Sequence, residues 1–175
     1  MPERALPESE GLPILTIYDR ADPPSRELLA GAGQILELGA RGGGRNLWAA
    51  RLDEAVRLLE QPVVLVAHGI GCFAVAWWAR LSPASYVERV AGAVFVEPLR
   101  SAVAATPEQR FAGPHTRLPF PSLLADNAIE AGEVARDWGS ALLAGPLPAL
   151  GDLMAALRAK AAALPPALRL VRPIA

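Results

Sequence analysis

The sequence contains one cysteine, Cys72, and only two histidines, His68 and His115. A lone thiol excludes an internal disulfide and any cysteine-based metal cluster, and it fits a reducing, cytoplasmic setting. An excess of charge of either sign is also missing. The 17 Lys and Arg stand against 18 Asp and Glu, a formal net charge of -1, which offers no basic patch for nucleic acid. No apolar run approaches the roughly 20 residues that cross a bilayer. Even residues 141–150 are broken by Gly145, Pro146 and Pro148. The stretch from Met1 to Gly11 carries Glu3, Glu8 and Glu10 and does not read as a secretory signal. A soluble cytoplasmic protein without nucleic-acid or membrane partners is expected.

What is present is a well-patterned globular sequence. Its 175 residues, 52% hydrophobic and 20% charged, fit one domain over 1–175. A chain of this length removes about two-thirds of its unfolded surface from water on folding. The runs Pro13 to Tyr18 and Gln34 to Leu38 read as strands, the second closed by Gly42-Gly43-Gly44. A brief helix is expected between them over Ser25 to Leu29, with Ser25 as N-cap. Leu47 to Glu60 sets Leu52, Ala55, Val56 and Leu59 on one stripe and charges on the other, the mark of an amphipathic helix. Pro62 to Ala67 is apolar throughout, as a strand covered on both faces should be, and Val90 to Val96 and Pro121 to Ala125 repeat the buried-strand pattern. Helices are expected over Ile70 to Leu81, Ala128 to Trp138 and around Leu153 to Ala161, with a short sixth strand at Ala141 to Ala144. After Pro165 and Pro166 a C-terminal tail, 165–175, is expected.

The alternation predicts an α/β three-layer sandwich with a mostly parallel sheet of about six strands in the order 2-1-3-4-5-6. The ligand crevice of such a sheet lies beyond the carboxyl ends of its strands, where the winding reverses, here between the first and third strands. Tyr18, Asp19, Gly69, Ile70, Pro98 and Asp126 are the expected cleft residues.

The chemistry-bearing segment is Val63-Val64-Leu65-Val66-Ala67-His68-Gly69-Ile70-Gly71-Cys72. It has the strand, sharp turn and apolar helix of a nucleophile elbow, with glycine where the nucleophile would stand. The segment Ala67 to Cys72, with Val90-Ala91-Gly92-Ala93, Leu118 to Leu123 and Asp137-Trp138-Gly139-Ser140, resembles the small bacterial serine hydrolases related to retinoblastoma-binding protein 9. Those proteins belong to the α/β-hydrolase superfamily. The resemblance covers roughly Leu47 to Ser140 and implies an α/β-hydrolase-like fold. It also implies a serine nucleophile, a histidine base, an orienting acid and backbone donors for an oxyanion.

The sequence departs from that set in three places. The nucleophile position is Gly69; the region after the last strand, where the family has its histidine, reads Ala144-Gly145-Pro146-Leu147-Pro148-Ala149. The loop after the first strand, Tyr18-Asp19-Arg20-Ala21-Asp22-Pro23-Pro24, lacks the family's Pro-Gly. Asp126 stands near the position of the family's acid, and the Ile70 N–H keeps the place of one oxyanion donor. Glycine suits this turn, because a residue with a β-carbon held there is strained by about 1 to 3 kcal/mol.

Other candidates have plainer readings. Cys72 is expected to be a buried packing residue, His68 structural, and His115 a loop histidine. Trp77 and Trp78 fit a core. Gly42-Gly43-Gly44 lacks phosphate-loop spacing, and Asp19, Asp22 and Asp126 lack metal-ligand spacing, so neither a metal nor another cofactor is expected. Overall, a vestigial elbow at His68, Gly69, Ile70 and Gly71 predicts a hydrolase-like protein without hydrolysis, retained to bind a small molecule or a protein partner. An active esterase or amidase using Ser101, Ser122 or Cys72 is one alternative. A flavodoxin-like nucleotide binder is the other.

Overall fold

The computed structural model describes residues 11–39, 45–100 and 115–163. Residues 1–10, the segment Gly42-Gly43-Gly44, Ser101 and residues 165–175, for which a turn, a rearranged nucleophile and a tail were expected, lie outside that range. Six strands form one sheet: β1 Ile14–Asp19, β2 Gln34–Leu38, β3 Val63–His68, β4 Val90–Val96, β5 Ser122–Ala125 and β6 Ala141–Leu143. Their order is β2-β1-β3-β4-β5-β6 and every pairing is parallel. The expected winding and its reversal between β1 and β3 are both present.

Side chains that alternate along each strand feed two separate cores. Val63, Leu65 and Ala67 of β3 join Leu15 and Ile17 of β1 and Phe95 of β4 on one face. Val64 and Val66 join Val94, Val96 and Leu123 on the other. Because both faces are covered, β3 is apolar from Val63 to Ala67 and β4 from Val90 to Val96, which is why they read as continuous runs. The first face is packed by α2 (Arg45–Leu58), α3 (Ile70–Leu81) and α5 (Ala131–Trp138). The second is packed by α1 (Arg26–Leu29) and α6 (Leu150–Ala163). Trp138 meets Phe73 and Phe95 edge-on, with ring centroids 5.3 and 4.9 Å away. Burial of each such ring stabilises the fold by about 1.5 to 3 kcal/mol.

One element escaped the sequence pattern. A four-residue helix, α4 (Ala84–Val87), links α3 to β4; it is too short to carry a 3.6-residue period, and Pro83 at its start offers no side-chain cap of the kind that Ser25 gives α1. The starts and ends of β1, β3, α2 and α5 also differ by up to three residues from the sequence reading, the usual fraying of element boundaries. Among the described residues no helix is long and apolar enough to cross a membrane.

Candidate functional site

The sharp turn after β3 is built by two glycines with different tasks. Gly69 has φ 54° and ψ -127°, a backbone conformation that side chains resist, and its N–H donates to the Val96 carbonyl at 3.0 Å. Gly71 brings the first turn of α3 onto β1: a Cβ there would lie 2.7 Å from the Ile17 carbonyl oxygen. The first N–H groups of α3, including that of Ile70, thereby open at the carboxyl edge of the sheet, and a helix leaves these donors without partners of its own.

Over this turn stands a carboxylate from the loop that follows β1. A Cβ at position 69 would lie 2.5 Å from Asp22 Oδ2. The space that an elbow side chain would need is filled. Asp19 organises this loop from below: it is fully buried at the end of β1, its Oδ1 accepts the Ala21 N–H at 2.9 Å, and its carbonyl accepts the Asp22 N–H at 2.9 Å. The tight turn thus folds Asp22 back toward β3.

His68 completes the contact between the two loops. It is 7% exposed, with Nδ1 3.2 Å from the Asp22 carbonyl oxygen and Nε2 3.5 Å from Glu97 Oε2. Both ring nitrogens therefore face acceptors and neither faces position 69. Glu97 follows β4 with φ 49°, a conformation rare outside glycine, and its Oε1 accepts from Arg100 Nη1 at 2.6 Å. Asp22, Pro23, Ser25, His68, Glu97 and Arg100 line a cleft of about 240 Å³. Glu97 and Arg100 were not singled out from sequence. Their signal was positional, since they occupy the turn directly after β4, the strand next to the β1–β3 reversal.

Asp126 lies at the same edge with a different task. It is 7% exposed, and its two oxygens accept the N–H groups of Leu99 at 3.0 Å and Ala128 at 2.8 Å. It pins the 97–100 turn and so aims Glu97 and Arg100. Beside it, Asn127 and Gly145 exchange two hydrogen bonds, 2.9 and 2.7 Å. That clamp holds the loop in which the resemblance would place a histidine. Of the other expected cleft residues, Tyr18 donates its hydroxyl to Glu37 on β2 at 3.0 Å, away from the cleft, and Pro98 is buried. Burial, followed by the neighbouring Glu37 carboxylate, pushes the Tyr18 phenol up.

The substitutes for a missing nucleophile are poorly placed. Cys72 is fully buried, its Sγ donates to the Ala67 carbonyl at 3.2 Å, and burial pushes its thiol well above the usual range. Ser122 is fully buried at the opposite, amino end of β5, within 2.7 Å of the Ser140 hydroxyl. His115 sits on the surface, 2.6 Å from Asp137. Among the described residues, no group of three or more His, Cys, Asp and Glu side chains is arranged to hold a metal ion.

A family model described as serine hydrolase matches residues 40–156. In structure the chain is similar to a protein described as a YdeN-like hydrolase from Pectobacterium atrosepticum, at 19% identity and a TM-score of 0.57, covering 76% of each chain. At that identity the likeness is one of fold. No curated protein matches the sequence.

Proposed function

The chain belongs to the serine hydrolase family, and from that premise we propose that it no longer hydrolyses esters or amides and instead holds a small ligand in the cleft above Gly69. One observation carries this reading: Gly69 has no side chain, and the Asp22 carboxylate stands 2.5 Å from where its Cβ would be. Acyl transfer starts from an oxygen or sulfur at this point and builds negative charge against the neighbouring N–H groups. Here the starting atom is missing. The oxyanion would also develop beside a carboxylate, which raises the barrier further.

The same groups suit recognition. Asp22 and Glu97 present acceptors to the cleft, and Glu97 is held in a strained backbone conformation of the kind found at ligand clamps. A ligand with hydrogen-bond donors complements them. The active-hydrolase alternative draws no support from Cys72 or Ser122, both fully buried.

The test has two readouts on the purified protein. Release of p-nitrophenol from the acetate and butyrate esters is expected to run at the buffer rate; release that scales with protein and disappears in Cys72→Ser or Ser122→Ala would overturn the first half. Ethanolamine, which carries an ammonium and a hydroxyl, is expected to raise the melting temperature. At 100 times its dissociation constant a ligand stabilises by about 2.7 kcal/mol. No shift, or a shift retained in Glu97→Gln, would remove the cleft as its site.

A further inference from the structure

His68 faces more acceptors than its neutral ring can serve. Nδ1 lies 3.2 Å from the Asp22 carbonyl oxygen and Nε2 lies 3.5 Å from Glu97 Oε2. A neutral imidazole has one N–H to give and one lone pair to keep, whereas an imidazolium gives two N–H groups. With the single proton on Nδ1, the bond to Asp22 is made and the Nε2 lone pair is left opposite a carboxylate oxygen. The ring is buried, and buried polar groups of like kind that face each other require a donor between them.

Two donors fit that gap. A proton on Nε2 closes it from within. An ammonium entering from the cleft closes it from outside, because contacts of about 2.9 Å to each acceptor span a separation of 3.5 Å. The cleft, about 240 Å³, admits a small amine, and its walls set the Asp22 and Glu97 carboxylates against one guanidinium, that of Arg100. Arg100 is bonded to the other Glu97 oxygen, Oε1, which keeps Oε2 turned to the ring. The remaining ionisable groups around His68 are committed elsewhere. Asp19, below the loop after β1, accepts the Ala21 N–H, and Asp126, after β5, accepts the Leu99 and Ala128 N–H groups. Cys72 on α3 gives its thiol hydrogen to the Ala67 carbonyl.

We infer that the cleft takes a primary ammonium, seated between Nε2 of neutral His68 and Glu97 Oε2, and that a proton on His68 competes with it for that place. This rests on the reading of the cleft as a ligand site, and adds which cation enters and what expels it. A quaternary ammonium has no N–H and does not bridge two acceptors. Protonation of His68 fills the gap and removes negative charge from the cleft, so acid releases the ligand. The sign follows from linkage: the ligand binds the form with one proton fewer, so affinity rises with pH through the imidazole titration and levels once that is complete.

Calorimetric titration of ethanolamine and of choline into the full chain, from about pH 5.5 to about pH 8.5, tests this across the range in which histidine changes charge. Ethanolamine affinity is expected to rise about tenfold per pH unit on the acid side of the imidazole titration and to level on the alkaline side. Choline is expected to bind at least about tenfold more weakly, the loss of one charge-assisted hydrogen bond. His68→Gln keeps a donor and an acceptor without titrating, and its ethanolamine affinity is expected to be flat with pH. A second measurement needs no change at His68: its ring signal, distinguished from that of His115 with His115→Gln, is followed by NMR, and saturating ethanolamine is expected to move its titration to lower pH. Affinity independent of pH in the parent, equal affinity for choline, a slope retained in His68→Gln, or a ring titration that ethanolamine leaves in place would each overturn the inference while leaving the cleft a ligand site. Absence of ethanolamine binding at every pH would remove both readings.

Discussion

Replacing Gly69 with serine returns the oxygen that the elbow lacks, and the structure says what that costs. The native backbone at this position has φ 54° and ψ -127°, a region that strains a residue with a β-carbon by about 1 to 3 kcal/mol. The new Cβ would also stand 2.5 Å from Asp22 Oδ2, so the carboxylate must swing aside. For a chain of this size each kcal/mol lowers the melting temperature by about 2 to 4 °C, and Gly69→Ser is expected to melt roughly 2 to 12 °C below the parent. Asp22→Ala removes the obstructing carboxylate. In a double-mutant cycle the pair is therefore expected to be more stable than the sum of its single changes, by roughly 1 kcal/mol. Catalysis is not expected to return in either variant. Both nitrogens of His68 already face Asp22 and Glu97, and Gly145 is clamped by Asn127 where the base would stand. Thermal unfolding and release of p-nitrophenol read the two effects separately. A Gly69→Ser protein that melts with the parent, shows no coupling to Asp22, or hydrolyses esters rapidly would refute the reasoning.

Three further outcomes follow from other contacts. Burial keeps the Cys72 thiol protonated in the fold beyond its ordinary range, so native-state alkylation, followed by mass, stays slow as pH rises and accelerates only on unfolding. The same shift has a definite sign in stability: a thiol whose folded pKa is raised contributes fully below the unfolded thiol pKa, and stability falls as pH rises above it. Asp126→Ala removes a charged acceptor from the Leu99 and Ala128 N–H groups and is expected to destabilise by about 3 kcal/mol in urea unfolding, with ethanolamine binding weakened because the 97–100 turn loses its anchor. Asn127→Ala breaks the exposed double hydrogen bond to Gly145. It is expected to cost no more than about 1 kcal/mol while hydrogen exchange at the Gly145 amide rises.

The fold was readable because parallel strands buried on both faces leave an unbroken apolar signature. Val63 to Val66 and Val90 to Val96 announced themselves in that way, and the gaps between them fixed the alternation with helices. The helix α4 did not, since its single turn has no period and no capping side chain at Pro83. The turn at Gly69 was also readable, as a local sequence of strand end, glycine and apolar helix. What lay beyond sequence was the crossing of elements: nothing local to Asp22 says that its carboxylate stands over Gly69, 47 residues away in the chain. Glu97 and Arg100 were hidden for the same reason. Asp126 stands near the place of the family's acid in the sequence, and only the folded chain shows that its two oxygens also hold a turn through the Leu99 and Ala128 N–H groups.

Intact-mass analysis of the purified protein after exposure to a fluorophosphonate puts the central claim to its shortest test. The account predicts an unchanged mass, because no activated hydroxyl or thiol meets the reagent at the β3 turn. A stoichiometric adduct at any residue would contradict it.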